Sequence, residues 1–176
     1  MSNIWHDISP KRISPVDFMA CIEIPKGGKN KYEMDKETGL LCLDRVLYTS
    51  THYPANYGFI PRTYAADDDP LDVLVLWQVT IVPMTLVRCY PIGGIKMIDN
   101  ERPDEKIVAI PFNDPSMNCY HDISELPKHT LEEISHFFRV YKSLEGKETV
   151  VSEMHGADAA IEIIFNYMAR YKDCFC

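Results

Sequence analysis

The sequence predicts an α+β fold in which a mainly β first part is followed by two helices. Short β-like runs separated by turn residues fill the chain from Phe18 to about Pro111. Helical periodicity begins only later, at about Thr130. This order indicates helices packed on an antiparallel sheet that is either closed as a small barrel or stacked as a sandwich.

Seven strands are expected, each bounded by turn residues such as Gly, Pro, Asn and Asp. They span residues 19–24, 31–34, 40–47, 73–76, 85–92, 95–98 and 106–110. A first helix is expected from a capping box at Thr130 and Glu133, and it should end before Gly146. A second helix is expected over about residues 158–172, where apolar residues recur at helical spacing.

Size and charge restrict the class of protein. The chain has 176 residues, of which 46% are hydrophobic, and no repeat or linker divides it, so one domain over residues 1–176 is expected. Lys and Arg number 18 against 26 Asp and Glu, for a net charge of -8. That balance argues against a nucleic-acid partner, because nucleic-acid binders neutralise phosphates with basic surfaces.

The chain shows neither an apolar run long enough for a membrane span nor a signal peptide, so no membrane partner and a cytoplasmic location are expected. The six cysteines include no C-x-x-C pair. Disulfide frameworks and zinc ribbons therefore fit poorly, and reduced, mostly buried thiols are expected.

The run from Asp67 to Leu76 is the most informative part of the chain. Four carboxylates, those of Asp67, Asp68, Asp69 and Asp72, lie within six residues and adjoin a wholly apolar run. Repulsion and desolvation make such a cluster costly unless a cation binds there. Mg²⁺ suits it, because this ion takes one or two carboxylates, keeps several waters and binds substrate phosphate. The cluster therefore indicates phosphate chemistry, although a solvated acidic turn is the usual explanation for an isolated D-x-D.

Two other kinds of acidic site fit the run less well. An EF-hand loop counted from Asp67 fails at three positions. An aspartyl phosphatase would need a βαβ scaffold that the pattern does not show. Both remain minor alternatives.

A second pair of carboxylates follows downstream. Asp99 and Asp104 flank a polar turn between two strands and can converge at the mouth of one hairpin. Lys106 lies two residues after Asp104, on the same face of the strand. An ordinary charged hairpin tip would give the same pattern.

The strands further upstream carry charges that could belong to the same site. Glu23 alternates with apolar neighbours, and Lys31 and Glu33 share one face of the next strand. Arg45 has the parity of buried leucines, so its guanidinium needs an anion, which is either a phosphate or a structural partner such as Asp44 or Glu33.

Aromatic hydroxyls and one more lysine complete the candidate set. Tyr53, Tyr57, Tyr141 and Lys142 can supply hydrogen-bond donors. Tyr141 also belongs to the apolar stripe of the first helix, so the pattern leaves open whether it lies in the core or in the site.

These residues resemble the soluble family I inorganic pyrophosphatases, in the short form found in bacteria. The acidic signature D-x-D-P-x-D stands here as Asp67-Asp68-Asp69-Pro70-Leu71-Asp72. Further matches in the same order are Ile22-Glu23-Ile24-Pro25, Lys31-Tyr32-Glu33, Asp44-Arg45, Tyr53-Pro54-Ala55-Asn56-Tyr57-Gly58, Pro91-Ile92-Gly93, Asp99, Asp104 with Lys106, His136-Phe137-Phe138 and Tyr141-Lys142.

The resemblance implies a five-stranded closed β-barrel of the OB kind with flanking C-terminal helices. It also implies Mg²⁺-dependent hydrolysis of inorganic pyrophosphate to two orthophosphates, by direct attack of a metal-activated water. Several Mg²⁺ ions would act in each active site, and the protein would be a homo-oligomer, namely a hexamer. An OB-type nucleic-acid or metal-binding module without turnover is the alternative.

The resemblance further implies a role for each matched side chain. Asp67, Asp72 and Asp104 would hold the first Mg²⁺, Asp72 would bridge to a second, and Asp99 with Asp104 would take a further ion. Asp69 would be the catalytic base. Lys31, Arg45, Tyr57, Tyr141 and Lys142 would bind the phosphates, and Glu23, Glu33, Lys106 and Tyr53 would support this set. Asp68 is expected to be an extra charge facing solvent.

Overall fold

Nine strands and three helices make up the part of the chain that the computed structural model describes, residues 3–99 and 101–176. The strands are β1 (Ile13–Ser14), β2 (Asp17–Ile24), β3 (Asn30–Met34), β4 (Leu41–Val46), β5 (Asn56–Ile60), β6 (Leu71–Val75), β7 (Leu86–Asp99), β8 (Arg102–Pro111) and β9 (Thr149–Gly156). The helices are α1 (Ile4–Asp7), α2 (Lys128–Val140) and α3 (Ala157–Phe175).

Five strands close into a hydrogen-bonded ring. Following the ring, β2 pairs with β5, β5 with β6, β6 with β8, β8 with β7, and β7 again with β2. The strands β3 and β4 form a separate hairpin, and β9 extends β7 beyond the ring. This confirms the mainly β fold with a closed five-stranded ring and C-terminal helices.

The strand β6 is buried on both of its faces, which accounts for its continuous apolar run. Leu71, Val73 and Val75 pack in a cluster that includes Ile164 of α3. Leu74 faces the opposite way, into a cluster that includes residues of α2. Because side chains alternate along a strand, Asp72 lies on the Leu74 face, at the end of the second cluster. The hydrophobic burial of β6 therefore fixes where this carboxylate points.

Several sequence-based expectations need correction. The sheet is not purely antiparallel, because β6 pairs parallel with β8. Residues 85–92 and 95–98 lie in one strand, β7, whose register shifts between Pro91 and Gly93. The strands β1, β5 and β9 were not expected from the pattern. In β5, Gly58 is required, because a Cβ there would lie 1.9 Å from the carbonyl oxygen of Cys21.

Both expected helices are present, with bounds that differ from the expectation. The helix α2 begins at Lys128 with Pro127 at its N-cap and no side-chain cap, so the capping box proposed at Thr130 is wrong. Proline is favoured beside a helix start because its φ is fixed near the helical value. The helix α3 covers the expected residues 158–172 and extends to Phe175.

Two further observations concern the expected surroundings of the protein. Cys21 and Cys89 are buried, but the other four cysteines are exposed, so the expectation of mostly buried thiols is wrong. Among the helices of residues 3–99 and 101–176, none is both long and apolar enough to cross a membrane.

Candidate active site

A cleft of about 330 Å³ collects nearly all of the side chains that the sequence singles out. It lies where β6, the β3–β4 hairpin and the β7–β8 hairpin meet the end of α2. Of the predicted residues, those that line it are Glu23, Lys31, Glu33, Tyr57, Asp67, Asp69, Asp72, Asp99, Asp104, Lys106, Tyr141 and Lys142. A larger cavity of about 670 Å³, beside His136, has one carboxylate and lacks this charge pattern.

Lys106 joins the two acidic segments. The parallel pairing of β6 with β8 sets Lys106 opposite Asp72. Its ammonium donates to Asp72 Oδ2 at 2.7 Å, to Asp104 Oδ1 at 3.0 Å and to the hydroxyl of Tyr57 at 2.9 Å. Burial alone would lower the pKa of Lys106, but the carboxylates of Asp104 and Asp72 outweigh it and raise that pKa well above its ordinary value. The ammonium therefore stays charged between two acids.

Tyr57 lies beneath this ion pair. Its hydroxyl donates to Asp72 Oδ2 at 2.5 Å. Burial raises the pKa of Tyr57 well above its ordinary value, so the phenol is a donor throughout the neutral range. Tyr53 lies deeper, with its ring centroid 5.2 Å from that of Tyr57 and 4.8 Å from that of Phe137. Tyr53 therefore supports the wall of the cleft from the core and does not line it.

The acidic loop before β6 is a tight turn. The Ala65 amide donates to the Asp69 carbonyl at 2.7 Å, and the Asp68 amide donates to the Ala65 carbonyl at 3.2 Å. Asp67 and Asp69 line the cleft. Burial first, and then the carboxylates of Asp72 and Asp104, raise the pKa of Asp67 to about 6. The loop thus holds a carboxylate that a cation would stabilise in its charged form.

Asp68 faces solvent, as expected, with 61% of its side chain exposed, but it also has partners. Its carboxylate accepts hydrogen bonds from Tyr64 and from Arg170 of α3. Asp69, by contrast, forms an ion pair with Lys36, which follows the β3 strand and also lines the cleft.

The β7–β8 hairpin brings Asp99 to the other side of the cleft. Asp99 and Asp104 stand on opposite arms, as predicted, with Asp104 paired with Met97 and Asp99 paired with Arg102. Asn100, which was assigned to the intervening turn, lies outside the described residues. Lys142 forms an ion pair with Asp99. The other oxygen of Asp99, Oδ1, is buried without a hydrogen-bond partner among the described residues.

Tyr141 belongs both to the core and to the site. Only 4% of its surface is exposed, and its ring packs against Phe137 and Phe138. It nevertheless lines the cleft beside Lys142. The two alternatives that the pattern left open therefore both hold.

The β3–β4 hairpin supplies the remaining charges. Lys31 contacts Glu33 and lies 3.4 Å from Asp44 Oδ2. Arg45 lies behind them and does not line the cleft, with its Nε bound to Glu145 at 2.9 Å and its Nη1 bound to Asp44 at 2.5 Å. The Nη2 of Arg45 is buried and has no partner among the described residues.

Glu23 is buried beneath the hairpin. Its Oε1 accepts a hydrogen bond from the Met34 amide at 2.8 Å. Burial raises the pKa of Glu23 to about 8, and the nearby carboxylates of Asp72 and Glu33 act in the same direction. Without a cation beside it, Glu23 is therefore mostly protonated at neutral pH.

Comparison with known proteins identifies the family. The family described as inorganic pyrophosphatase matches residues 20–172. The chain belongs to the inorganic pyrophosphatases. "Soluble inorganic pyrophosphatase 2" of Chlamydomonas reinhardtii is 47% identical over 98% of this chain and 90% of its own length. "Soluble inorganic pyrophosphatase 4" of Arabidopsis thaliana is 46% identical over 96% of this chain and 78% of its own length.

Solved bacterial pyrophosphatases share the fold almost end to end. The structure from Thermus thermophilus has a TM-score of 0.92 and 36% identity, and the match covers 97% of this chain and 99% of the other. The structure from Helicobacter pylori has a TM-score of 0.90 and 38% identity, covering 94% and 99%. These confirm a family I pyrophosphatase resembling the short bacterial forms, with inorganic diphosphatase activity.

The donor set of the pyrophosphatase cleft fits a hard divalent cation, in keeping with a metal-dependent family. All of its acidic ligand candidates offer carboxylate oxygens, which Mg²⁺ prefers. A cation in the cleft would give the buried Oδ1 of Asp99 a partner. It would also lower the raised pKa of Asp67 by stabilising the charged carboxylate. Among the described residues, no three acidic, His or Cys side chains already meet as a ligand set. Lys106 pairs with Asp72, and Lys142 pairs with Asp99.

Three residues of this site could not be found from the sequence pattern. Lys36 lies in a charged turn of ordinary composition. Glu145 and Arg170 meet their partners 100 and 102 residues away along the chain, so no local spacing signals them. Their contacts arise only when the C-terminal segments pack on the ring.

Proposed function

We propose that residues 1–176 act as one domain that hydrolyses inorganic pyrophosphate with Mg²⁺ by direct attack of water. The observation that carries this proposal is the distribution of charge in one cleft. Four carboxylates, those of Asp67, Asp72, Asp99 and Asp104, line one cleft of about 330 Å³ together with cationic and hydroxyl groups. A site for a dianionic or more highly charged phosphate with divalent cations has this composition.

Asp67, Asp72, Asp99 and Asp104 would hold several Mg²⁺ ions. When bound, Mg²⁺ supplies Lewis-acid polarisation of the phosphoryl oxygens and lowers the pKa of water. Asp72 is suited to a shared position, because it lies between Lys106 and the acidic loop.

Asp69 would be the catalytic base. Its carboxylate would accept the proton of the water whose oxygen attacks phosphorus in line, while the bridging P–O bond breaks and the second orthophosphate leaves. Its side chain is half-exposed and lines the cleft, where water reaches it. It also forms an ion pair with Lys36, which lines the same cleft.

The phosphates would be held by Lys31, Arg45, Tyr57, Tyr141 and Lys142. The buried, partnerless Nη2 of Arg45 supports an anion-binding role, since a guanidinium recognises phosphate oxygens through its planar fork. Arg45 lies behind the residues that line the cleft, so it would support phosphate binding from behind them, with Nη2 as its available donor. Glu23, Glu33, Lys106 and Tyr53 would support these groups.

The cytoplasm and a homo-oligomeric state, with a hexamer as the specific form, complete the proposal. All six cysteines are free, as a reducing compartment requires. Large apolar side chains stay exposed, among them Leu40, Leu43 and Val82, and contact between subunits would cover such residues. Analytical ultracentrifugation tests the assembly, and a monomer at working concentration would refute it.

Substrate selectivity tests the function. Orthophosphate release is measured from pyrophosphate, ATP and a simple phosphate monoester, each with Mg²⁺ and with EDTA. We expect Mg²⁺-dependent release that strongly favours pyrophosphate. Equal release from ATP or the monoester, or release that survives EDTA, would contradict the proposed chemistry.

A further inference from the structure

The acidic loop is held from outside the cleft by helix α3. Arg170 donates through Nη1 to the Ala65 carbonyl and through Nη2 to Asp68 Oδ1 at 3.1 Å. The Tyr64 hydroxyl donates to the same Asp68 oxygen at 2.9 Å. The Arg170 guanidinium also stacks over the ring of Tyr64, with 4.4 Å between Cζ and the ring centroid. One side chain of α3 thus contacts the loop at its start and at its centre.

The backbone of the loop needs such support. Asp68 has φ of 69°, a left-handed conformation that non-glycine residues adopt rarely and at a cost of about 1–3 kcal/mol. This conformation turns the Asp68 side chain away from the cleft, while Asp67 and Asp69 on either side line it. The direction of both cleft carboxylates therefore depends on Asp68 keeping a strained φ.

Two further hydrogen bonds attach the backbone of the same segment to α3 and to the N-terminal region. The Tyr64 amide donates to the Tyr167 carbonyl at 3.0 Å. The Trp5 indole donates to the Thr63 carbonyl at 2.9 Å. The residues leading into the loop are thus fixed. At its centre Arg170 and Tyr64 bind the Asp68 carboxylate, while Lys36 donates to the Asp68 carbonyl at 3.3 Å.

We propose that Arg170 is a positioning residue that sets the acidic loop in its cation-binding geometry through Asp68. This rests on the proposed function, because it takes Asp67 as a Mg²⁺ ligand and Asp69 as the base. Arg170 does not line the cleft and acts only through the loop. As an isolated surface ion pair, Arg170–Asp68 contributes little to folding, since 61% of the Asp68 side chain is exposed. Its effect is on the orientation of the loop.

Arg170→Met is the first test, with Lys172→Met as the matched control. Lys172 is an exposed lysine of the same helix, so its replacement removes the same charge. Calorimetric titration of the metal-free proteins with Mg²⁺, without pyrophosphate, should show a dissociation constant raised by about tenfold or more for Arg170→Met, as for other supporting partners of metal ligands. Lys172→Met should bind as the wild type does. Urea unfolding in EDTA should be nearly unchanged for both.

Conservative variants separate positioning from simple packing. Asp68→Asn keeps an oxygen that Tyr64 and Arg170 can bind, so it should retain near wild-type Mg²⁺ affinity. Asp68→Gly relieves the strain but removes that oxygen, so it should weaken Mg²⁺ binding. Tyr64→Phe keeps the stacked ring and removes the hydroxyl, which gives an intermediate loss and serves as the test if Arg170→Met fails to fold.

The two proposals fail in different ways. Unchanged Mg²⁺ affinity in both Arg170→Met and Asp68→Gly, in an otherwise active enzyme, would overturn the positioning role alone. Wild-type protein that binds Mg²⁺ but releases no orthophosphate would overturn the proposed mechanism and leave the Mg²⁺ titrations to decide on Arg170. A lower stability in EDTA without any change in Mg²⁺ affinity would make Arg170 merely structural.

Discussion

Replacing Lys106 with Met should lower the free energy of unfolding, because the carboxylates of the cleft lose their buried cation. Only 3% of the Lys106 side chain is exposed, and its ammonium lies 2.7 Å from Asp72 and 3.0 Å from Asp104. Met fills a similar volume, so little packing is lost. The main change is that two carboxylates lose the cation between them.

The size of the effect follows from that geometry. Removing one partner of a buried ion pair costs about 3–5 kcal/mol, because the remaining charge is left uncompensated. Asp72 keeps 27% of its side chain exposed, which places the expected loss near the lower end, at about 3 kcal/mol. A loss of this size is a large part of the ordinary stability of a domain.

The loss should depend on pH and on Mg²⁺. Burial and the nearby Asp72 carboxylate already raise the pKa of Asp104, and Lys106, which opposes that rise, is missing in the variant. The protonated form of Asp104 then stabilises the fold at low pH, and this stability is lost as pH rises. The loss should therefore be small at about pH 4 and full at about pH 8. Mg²⁺, which binds the folded carboxylates, should reduce it.

Urea denaturation of wild type, Lys106→Met and the control Lys172→Met measures this directly, at both pH values and with EDTA or excess Mg²⁺. A loss that is equal under all conditions would contradict this prediction, because it would indicate a packing defect rather than uncompensated charge.

Two other substitutions test neighbouring parts of the site. Glu145→Gln removes the negative charge of the carboxylate that binds Arg45 Nε. The KM for pyrophosphate should then rise roughly tenfold, as the loss of a charged hydrogen bond of about 1.5 kcal/mol implies, whereas the control Glu148→Gln, at an exposed position, should leave KM unchanged. An unchanged KM in Glu145→Gln would show that Arg45 needs no such partner. Glu23 is stabilising when protonated, so its contribution, measured in EDTA, is full below its unfolded pKa of 4.5 and falls as pH rises towards about 8. Glu23→Gln should remove about 3 kcal/mol of the wild-type decline in unfolding free energy between pH 4.5 and pH 7, and an identical pH slope in the variant would count against the buried carboxyl.

The parts of the fold that the sequence predicted are those with local signals. The strands β2, β3, β4, β6 and β8 carry alternation or a short apolar run between turns. The single strand β7 was divided in two at Gly93 and Gly94, because glycines in succession usually end a strand. Here a register shift accommodates Pro91 within the ladder. The strand β5 is buried at every residue, so it shows no alternation by which to recognise it.

The site divides in the same way. Carboxylates beside an apolar run, such as Asp72 at the start of β6, are costly without a cation. They can therefore be recognised from the sequence alone. The convergence of Asp99 and Asp104 could be predicted from the geometry of a hairpin. The partners that orient these groups were not visible. Glu145 and Arg170 come from segments far along the chain, and only tertiary packing brings them to Arg45 and Asp68.

The most direct test of the account compares wild type with Asp69→Asn, measuring both orthophosphate release from pyrophosphate with Mg²⁺ and Mg²⁺ binding by calorimetry. We expect Asp69→Asn to keep its fold and most of its Mg²⁺ affinity and to lose at least about a hundredfold in turnover, as on removing a general base. Turnover of Asp69→Asn at the wild-type rate, or no release from folded wild type that binds Mg²⁺, would contradict it.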